Sequence, residues 1–237
     1  MSFKINYGKH IKFHKIPKGR KVVNQSSKIC EDVYICDLNC NTSNNWSTIS
    51  KDNHISRVDA YIDFSKDLLL KENFVILILE SPHQSEYSPS LTKPLPAQGK
   101  TGIKICNYLI DVLNNSNGKN KRNVIGVNGS YKLALIESVN YQCSEGINIG
   151  DGKIRDNNWL KYYYRNGSIN LVKKLDYFIS NSNNNVIVIN ACTNSTNKHL
   201  QKRVEKTILS LFSSKIEYFS CQHPSSWFRS NVIPYLR

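Results

Sequence analysis

Two uninterrupted apolar runs do most to limit what this chain can fold into: Phe74–Glu80, "FVILILE", and Val186–Asn190, "VIVIN". A strand with one wet face alternates apolar and polar residues. Runs without alternation predict strands covered on both faces, the usual condition of a parallel sheet. "KLALIESV" (Lys132–Val139) is a third such run, and "KIEYFSC" (Lys215–Cys221) a weaker fourth. Helical spacings fill the gaps. Ile105, Leu109 and Val112 share one face after Thr101, and Leu171, Leu175 and Phe178 share another. Leu200, Val204, Ile208 and Leu211 share a third. Strands alternating with helices predict an α/β fold of three layers, α/β/α, around a central four-stranded parallel sheet. Right-handed crossovers would then bring the strand ends together along one edge.

Those runs fall within residues 71–237, which read as one domain. Residues 1–70 are less patterned. Val58–Leu70 has a helical reading, and the rest reads as a basic, irregular extension packed on or flanking the core. The segment Ser144–Gly167, with Trp159 and Tyr162, Tyr163 and Tyr164, reads as an insertion whose aromatics pack against the sheet rather than stack on bases.

Charge narrows the partners. Lys and Arg number 32 against 18 Asp and Glu, a net +14 in 237 residues. Residues 1–28 hold Lys4, Lys9, Lys12, Lys15, Lys18, Arg20, Lys21 and Lys28 and no acid. Such a block repels itself unless a polyanion neutralises it, and nucleic-acid phosphate is the usual one. Nothing approaches 18 consecutive apolar residues, and the amino terminus lacks the apolar centre of a secretory signal. A soluble, cytoplasmic monomer with no membrane contact is the expectation. The closest cysteines, Cys30, Cys36 and Cys40, lack the C-x2-C pairs of zinc and iron–sulfur sites. Reduced, mostly buried thiols are expected, with no metal and no cofactor.

Each core strand ends in polar residues: Glu80-Ser81-Pro82-His83, Glu137-Ser138, Asn190-Ala191-Cys192, and Gln222-His223-Pro224-Ser225-Ser226. In a parallel sheet these meet at the carboxyl edge, where ligands bind. Phosphate-loop, dinucleotide and nucleophile-elbow signatures are absent, since "QGKTG" lacks the full Walker spacing. Cys192 with His199 or His223 offers a thiol nucleophile pair, against the commoner reading of a buried cysteine beside a strand.

"ESPHQSEY…KPLPAQGKTG" resembles the first motif of the uracil-DNA glycosylase superfamily, in the form kept by the branch typified by thermophile enzymes. "HPSSWFRS" resembles the second, a His-Pro-Ser followed by a loop that enters DNA. The resemblance spans Phe74 to Arg229 and implies a monofunctional DNA glycosylase acting on duplex or single-stranded DNA. Breaking an N-glycosidic bond builds positive charge on the sugar and negative charge on the departing base. Glu80 then falls on the motif glutamate beside the sugar, and His223 on the histidine that donates to pyrimidine O2. The resemblance places Ser81, His83, Tyr87, Leu95 and Glu137 against the flipped base. It places Gln98, Lys100, Thr101, Ser225, Ser226, Trp227, Phe228 and Arg229 against DNA, with Trp227 or Phe228 as the wedge that fills the gap.

The chain also departs from the pattern. Ser81 stands where other branches carry a catalytic Asp or Asn, which leaves water activation to Glu80 or Glu86. Leu95 replaces a stacking Phe, and His83 replaces a Gly or a Tyr that blocks 5-substituted pyrimidines. Uracil-reading members often end the second strand with Asn, where this chain has Glu137 or Ser138. A carboxylate there suits the N4 amino group of cytosine better than uracil O4. An exposed strand-end carboxylate is the alternative for Glu137. A modified cytosine, such as those that protect phage DNA, is therefore the expected base, with antiviral defence as the implied role. Uracil repair, or a binding module on the same fold without catalysis, is the alternative.

Overall fold

The computed structural model describes residues 29–48, 55–65, 71–83, 86, 94–114, 124, 126–143, 152–194, 199–227 and 236. The protein is a mixed α/β structure. Its strands are β1 (Val33–Cys40), β2 (Trp46–Thr48), β3 (Ala60–Tyr61), β4 (Glu72–Leu79), β5 (Gly129–Glu137), β6 (Ser182–Asn190) and β7 (Glu217–Ser220). They form one sheet in the order β2-β1-β5-β4-β6-β7, with β3 paired to β1. Pairings β4–β5, β4–β6 and β6–β7 are parallel, whereas β1 pairs antiparallel with β5, β2 and β3.

Four helices cross over this sheet: α1 (Lys100–Asn114), α2 (Gly152–Tyr162), α3 (Ser168–Ser180) and α4 (Leu200–Phe212). The pleat of β4 sorts the core in two. Val75, Leu77 and Leu79 face one cluster with Ile105, Leu109 and Val112 of α1. Phe74, Ile76 and Ile78 face the other, with Trp159, Leu171, Leu175, Phe178, Val204 and Ile208 from α2, α3 and α4. Both faces of β4 are thus dry, which is why its run shows no alternation.

Strand order explains where a ligand would lie. The chain passes from β4 to β5 on one side and then crosses to β6 on the other side of β4. The reversal makes the carboxyl end of β4 the topological switch point of an open α/β sheet, the place where ligands commonly bind.

Several expectations need correction. Residues 29–70 do not form an irregular extension throughout. Their described part supplies β1, β2 and β3, and Val33, Ile35, Leu38 and Trp46 join the same core as β4. Residues 58–65 are strand and turn rather than helix, and 66–70 lie outside the described residues. The expected insertion is, over 152–167, part of the helical connection from β5 to β6. There α2 runs through a π-helical turn (Tyr163–Gly167) into α3. Trp159 and Tyr163 stack at 4.3 Å within the core, as the packing reading required. On α4, Leu211 is exposed and Phe212 takes the buried place. The basic block 1–28 lies outside the described residues, as do residues 144–151. No helix among the described residues is long and apolar enough to cross a membrane.

Candidate active site at the carboxyl ends of the strands

Glu80 follows the last residue of β4 and is 6% exposed. Burying a carboxylate is costly unless it is paired and hydrogen-bonded, and here it is both. Arg155 of α2 brings Nη1 to 3.1 Å from Oε1, and the Thr193 N–H donates to Oε2 at 2.9 Å. The Glu80 carbonyl is held as well, accepting from Ser138 Oγ and Trp159 Nε1, each at 2.7 Å. Arg155 is braced in turn by Asp156, whose Oδ1 accepts from Nη2 at 2.7 Å. Despite the cost of burial, these two carboxylates raise the Arg155 pKa, Glu80 contributing more. Nothing in the sequence singles out Arg155 from Lys153 and Lys161 of the same helix.

His223 follows β7 and opens the short 3-10 turn Pro224–Ser226. Its Nδ1 accepts from the Ser225 N–H at 3.3 Å and lies 2.9 Å from Ser225 Oγ. An Nδ1 that accepts a backbone N–H is unprotonated, so the neutral ring carries its hydrogen on Nε2. Burial pushes the imidazole below its ordinary pKa, opposed by Glu80 and supported by Arg155 and His83. A neutral imidazole with a donor at Nε2 is the form that can stabilise an oxyanion without first losing a proton.

Glu137 is the last residue of β5 and is 1% exposed, which overturns the exposed-carboxylate alternative. Its backbone is gripped on both sides. The Glu137 N–H donates to Asp32 Oδ1 at 2.8 Å, and the carbonyl accepts from Lys174 Nζ at 2.9 Å. Lys174 also pairs with Asp32 Oδ2 at 2.6 Å and donates to Asn140 Oδ1 at 2.7 Å. The side chain differs. Neither carboxyl oxygen has a hydrogen-bond partner among the described residues. Burial, and then the neighbouring Glu86, Asp32 and Glu80 against Lys174, push this carboxyl well above the ordinary range. The carboxylate expected to read the base therefore sits where its surroundings disfavour the charged form. Ser138, the other candidate for the same role, is committed to the Glu80 carbonyl.

Glu86 is also buried and accepts from the His83 N–H at 2.9 Å, while the Glu86 carbonyl accepts from the Leu95 N–H at 3.2 Å. Burial raises its pKa to about 8 against the pull of its backbone donors and Arg57. A carboxyl that holds its proton near neutrality is a poor base, which counts against the Glu86 alternative.

Of the remaining predicted residues, Ser81 is half-buried beside Cys143 and His83 is exposed. Leu95 and Gln98 are half-buried in the turn ahead of α1, and Lys100 and Thr101 open that helix. Arg57 fastens this turn by donating to the carbonyls of Ala97 at 2.7 Å and Pro96 at 2.9 Å. Gly102 is obligatory there, because a Cβ would lie 1.8 Å from the Ala97 carbonyl oxygen.

Trp227 is a correction. It is fully buried in the core, and its Nε1 donates to the Gln222 carbonyl at 2.8 Å. Such a ring anchors the turn that carries His223 and cannot enter DNA as a wedge. Ser225 and Ser226 are half-buried and bonded to His223, Ser226 Oγ donating to its carbonyl at 2.7 Å. Tyr87, Phe228 and Arg229 lie outside the described residues.

The thiol pair is also ruled out. Cys192 is fully buried and its pKa is driven well up by burial and by Glu80, the opposite of an activated thiolate. His199 is exposed at the start of α4. All seven cysteines are free, and all but Cys36 are buried. Among the described residues no three His, Cys, Asp or Glu side chains are grouped to hold a metal ion.

The carboxyl ends of the parallel strands thus carry an ion-paired carboxylate after β4, a buried carboxyl ending β5 and, beyond β6, an imidazole after β7. Comparison with protein-family models, with curated proteins and with solved structures found no match to this chain, so its function has to be argued from these residues alone.

Proposed function

We propose that the protein is a monofunctional DNA glycosylase, of the three-layer architecture of the uracil-DNA glycosylase superfamily, that flips a modified pyrimidine from DNA and hydrolyses its N-glycosidic bond. One observation carries the reading. Glu80, ion-paired at the end of β4, and His223, with its donor on Nε2 after β7, lie at the switch point of the sheet. A module that only binds DNA needs neither a buried carboxylate nor a neutral histidine at that edge.

The chemistry divides between them. As the bond from C1′ to N1 lengthens, its electron pair moves onto the base and gathers on O2, where His223 Nε2–H donates. Positive charge grows on the sugar, facing the Glu80 carboxylate. A water oxygen adds to C1′, its proton passes to Glu80, and the base leaves to be protonated by solvent. Arg155 fixes the Glu80 carboxylate through Oε1. The turn of Gln98, Lys100 and Thr101, with Ser225, Ser226, Phe228 and Arg229, supplies the phosphate and backbone contacts, and the basic residues 1–28 add non-specific affinity.

A modified cytosine is the first candidate base. At position 4 of the ring, a side-chain oxygen of Glu137 would accept from the cytosine amino group, the contact on which the choice of cytosine rests. His83, where the resembled pattern carries a Gly or a Tyr that blocks 5-substituted pyrimidines, is exposed at this edge. Removal of such bases fits defence against DNA that carries them.

Duplexes carrying uracil, cytosine and a set of 5-substituted cytosines, each incubated with the protein and then treated with alkali, test the reading. Strand breaks at a substituted cytosine are expected. Intact strands across the whole set would contradict it.

A further inference from the structure

We infer that the face carrying the π-helical turn and the first half of α4 is a second contact surface for DNA, one that holds the phosphate backbone. It takes DNA as the partner from the reading above and does not need Glu80 to be catalytic. Its cations are Lys161, Arg165, Lys202, Arg203 and Lys206, set around the contact between Tyr164 and Arg203. None of these residues belongs to the strand-end site.

The turn is held firmly in place. Gly167 closes it against the end of β5, where a Cβ would lie 3.1 Å from Val139 and 3.2 Å from the Ser138 carbonyl oxygen. Tyr163 is buried, stacks on Trp159 at 4.3 Å and donates its hydroxyl hydrogen to Thr207 Oγ1 of α4 at 2.8 Å. Tyr164, the next residue, is instead 37% exposed and meets Arg203 twice. Its hydroxyl accepts from Nη1, and the guanidinium lies over its ring, 5.5 Å from the centroid. The aromatics of this segment therefore divide: Trp159 and Tyr163 pack inward, and Tyr164 holds a cation at the surface. π-helical turns are rare and are found mostly at functional sites.

Charge selects the occupant. Lys161, Arg165, Lys202 and Lys206 are exposed, and among the described residues none of the four has an acid within ion-pair reach. From Asn157 to Leu175 the chain carries no acid. The acid of α4 is Glu205, two residues from Arg203 and so on the far side of the helix, where it acts on Tyr218 of β7. Lys202 and Lys206, four apart, are like-charged neighbours, a mildly destabilising arrangement that a polyanion laid across it relieves. Arginine held in this way presents a planar fork suited to phosphate. The face also adjoins the candidate site, because Trp159 under Tyr163 donates to the Glu80 carbonyl and Arg155 of the same helix pairs with the Glu80 carboxylate. That continuity favours a nucleic-acid strand over an acidic protein.

The test compares two charge-matched pairs in the full chain. Arg165→Gln with Lys206→Gln removes two cations from this face. Lys71→Gln with Lys215→Gln removes two exposed cations at the amino ends of β4 and β7, the opposite edge of the sheet. Binding of a fluorescein-labelled DNA duplex, and of one of its strands alone, would be read by anisotropy from about 50 to about 200 mM salt. The face pair should weaken binding about tenfold or more and reduce the slope of log K against log salt by about 1–2, while the edge pair stays within about twofold of wild type. Equal effects of the two pairs, or no effect of the face pair, would overturn the inference. So would poly-glutamate that competes as well as unlabelled DNA of equal charge, in favour of an acidic protein. Excision is a separate readout. If no base is excised but binding follows the face pair, the glycosylase reading fails and this surface stands; if excision proceeds and the face pair binds like wild type, the surface alone fails.

Discussion

Glu80 and Glu137 end adjacent parallel strands, are almost equally buried, and have opposite surroundings. The first is held by a guanidinium and a backbone N–H; the second is surrounded by other acids and has no partner for either oxygen among the described residues. Burial alone does not set what a carboxyl can do. Arg155 at 3.1 Å gives the Glu80 carboxylate a cationic partner, whereas the acids around Glu137 and its burial push that carboxyl above the ordinary range.

The comparison can be broken most severely from the histidine that works with Glu80. Replacing His223 by Ala removes the donor aimed at O2, and excision should drop about a hundredfold or more while DNA affinity in a filter-binding assay holds. Arg155→Met should cost about tenfold or more in single-turnover excision, because it leaves the buried Glu80 carboxylate with the Thr193 N–H but no cation, and an unchanged rate would show that the ion pair does not serve Glu80.

Stability sharpens the contrast from the other strand. The folded chain holds the Glu137 proton more tightly than the unfolded chain. That contribution is therefore complete below the ordinary glutamic acid pKa of about 4.3 and is lost as pH rises through the elevated value. Glu137→Gln should raise unfolding stability at about pH 8 by about 1–3 kcal/mol, with the gain shrinking towards about pH 5, as read from urea melts. A gain independent of pH would mean that Glu137 is not protonated in the fold. The smallest effect expected is on affinity. Deleting residues 1–28 should flatten the dependence of log K on log salt, and an unchanged slope would show that this segment touches no phosphate.

Much of the sheet was legible because β4 and β6 are apolar on both faces and need no context to be read. β1 was not. Its sequence "VYICDLNC" mixes Asp37 and Asn39 into an antiparallel strand whose burial is irregular, so no clean period survives. The helix carrying Arg155, "GKIRDNNWLKY", lacks a continuous apolar stripe, because Ile154 is exposed and Trp159 does most of its packing. Glu80 and His223 could be found from motif order at strand ends. The partners that decide their chemistry, Arg155, Thr193 and Ser225, come from a remote helix, a loop and a local turn. Glu137 could be found as a strand-end carboxyl, but a sequence does not show that other acids converge on it. Trp227 misled for a simple reason: an aromatic after His-Pro-Ser suits both a wedge and a core anchor, and only its burial decides.

The account turns on two carboxyls that do different work, and one side-by-side measurement tests that most directly. Single-turnover excision from a duplex carrying a substituted cytosine would be measured at neutral pH for Glu80→Gln and Glu137→Gln. Both variants exchange a carboxyl for a carboxamide of the same shape. Glu80→Gln should lose about a hundredfold or more, because the anion facing the sugar is gone, and Glu137→Gln about tenfold or less, because a donor and an acceptor remain. Equal losses, or a larger loss in Glu137→Gln, would contradict the account.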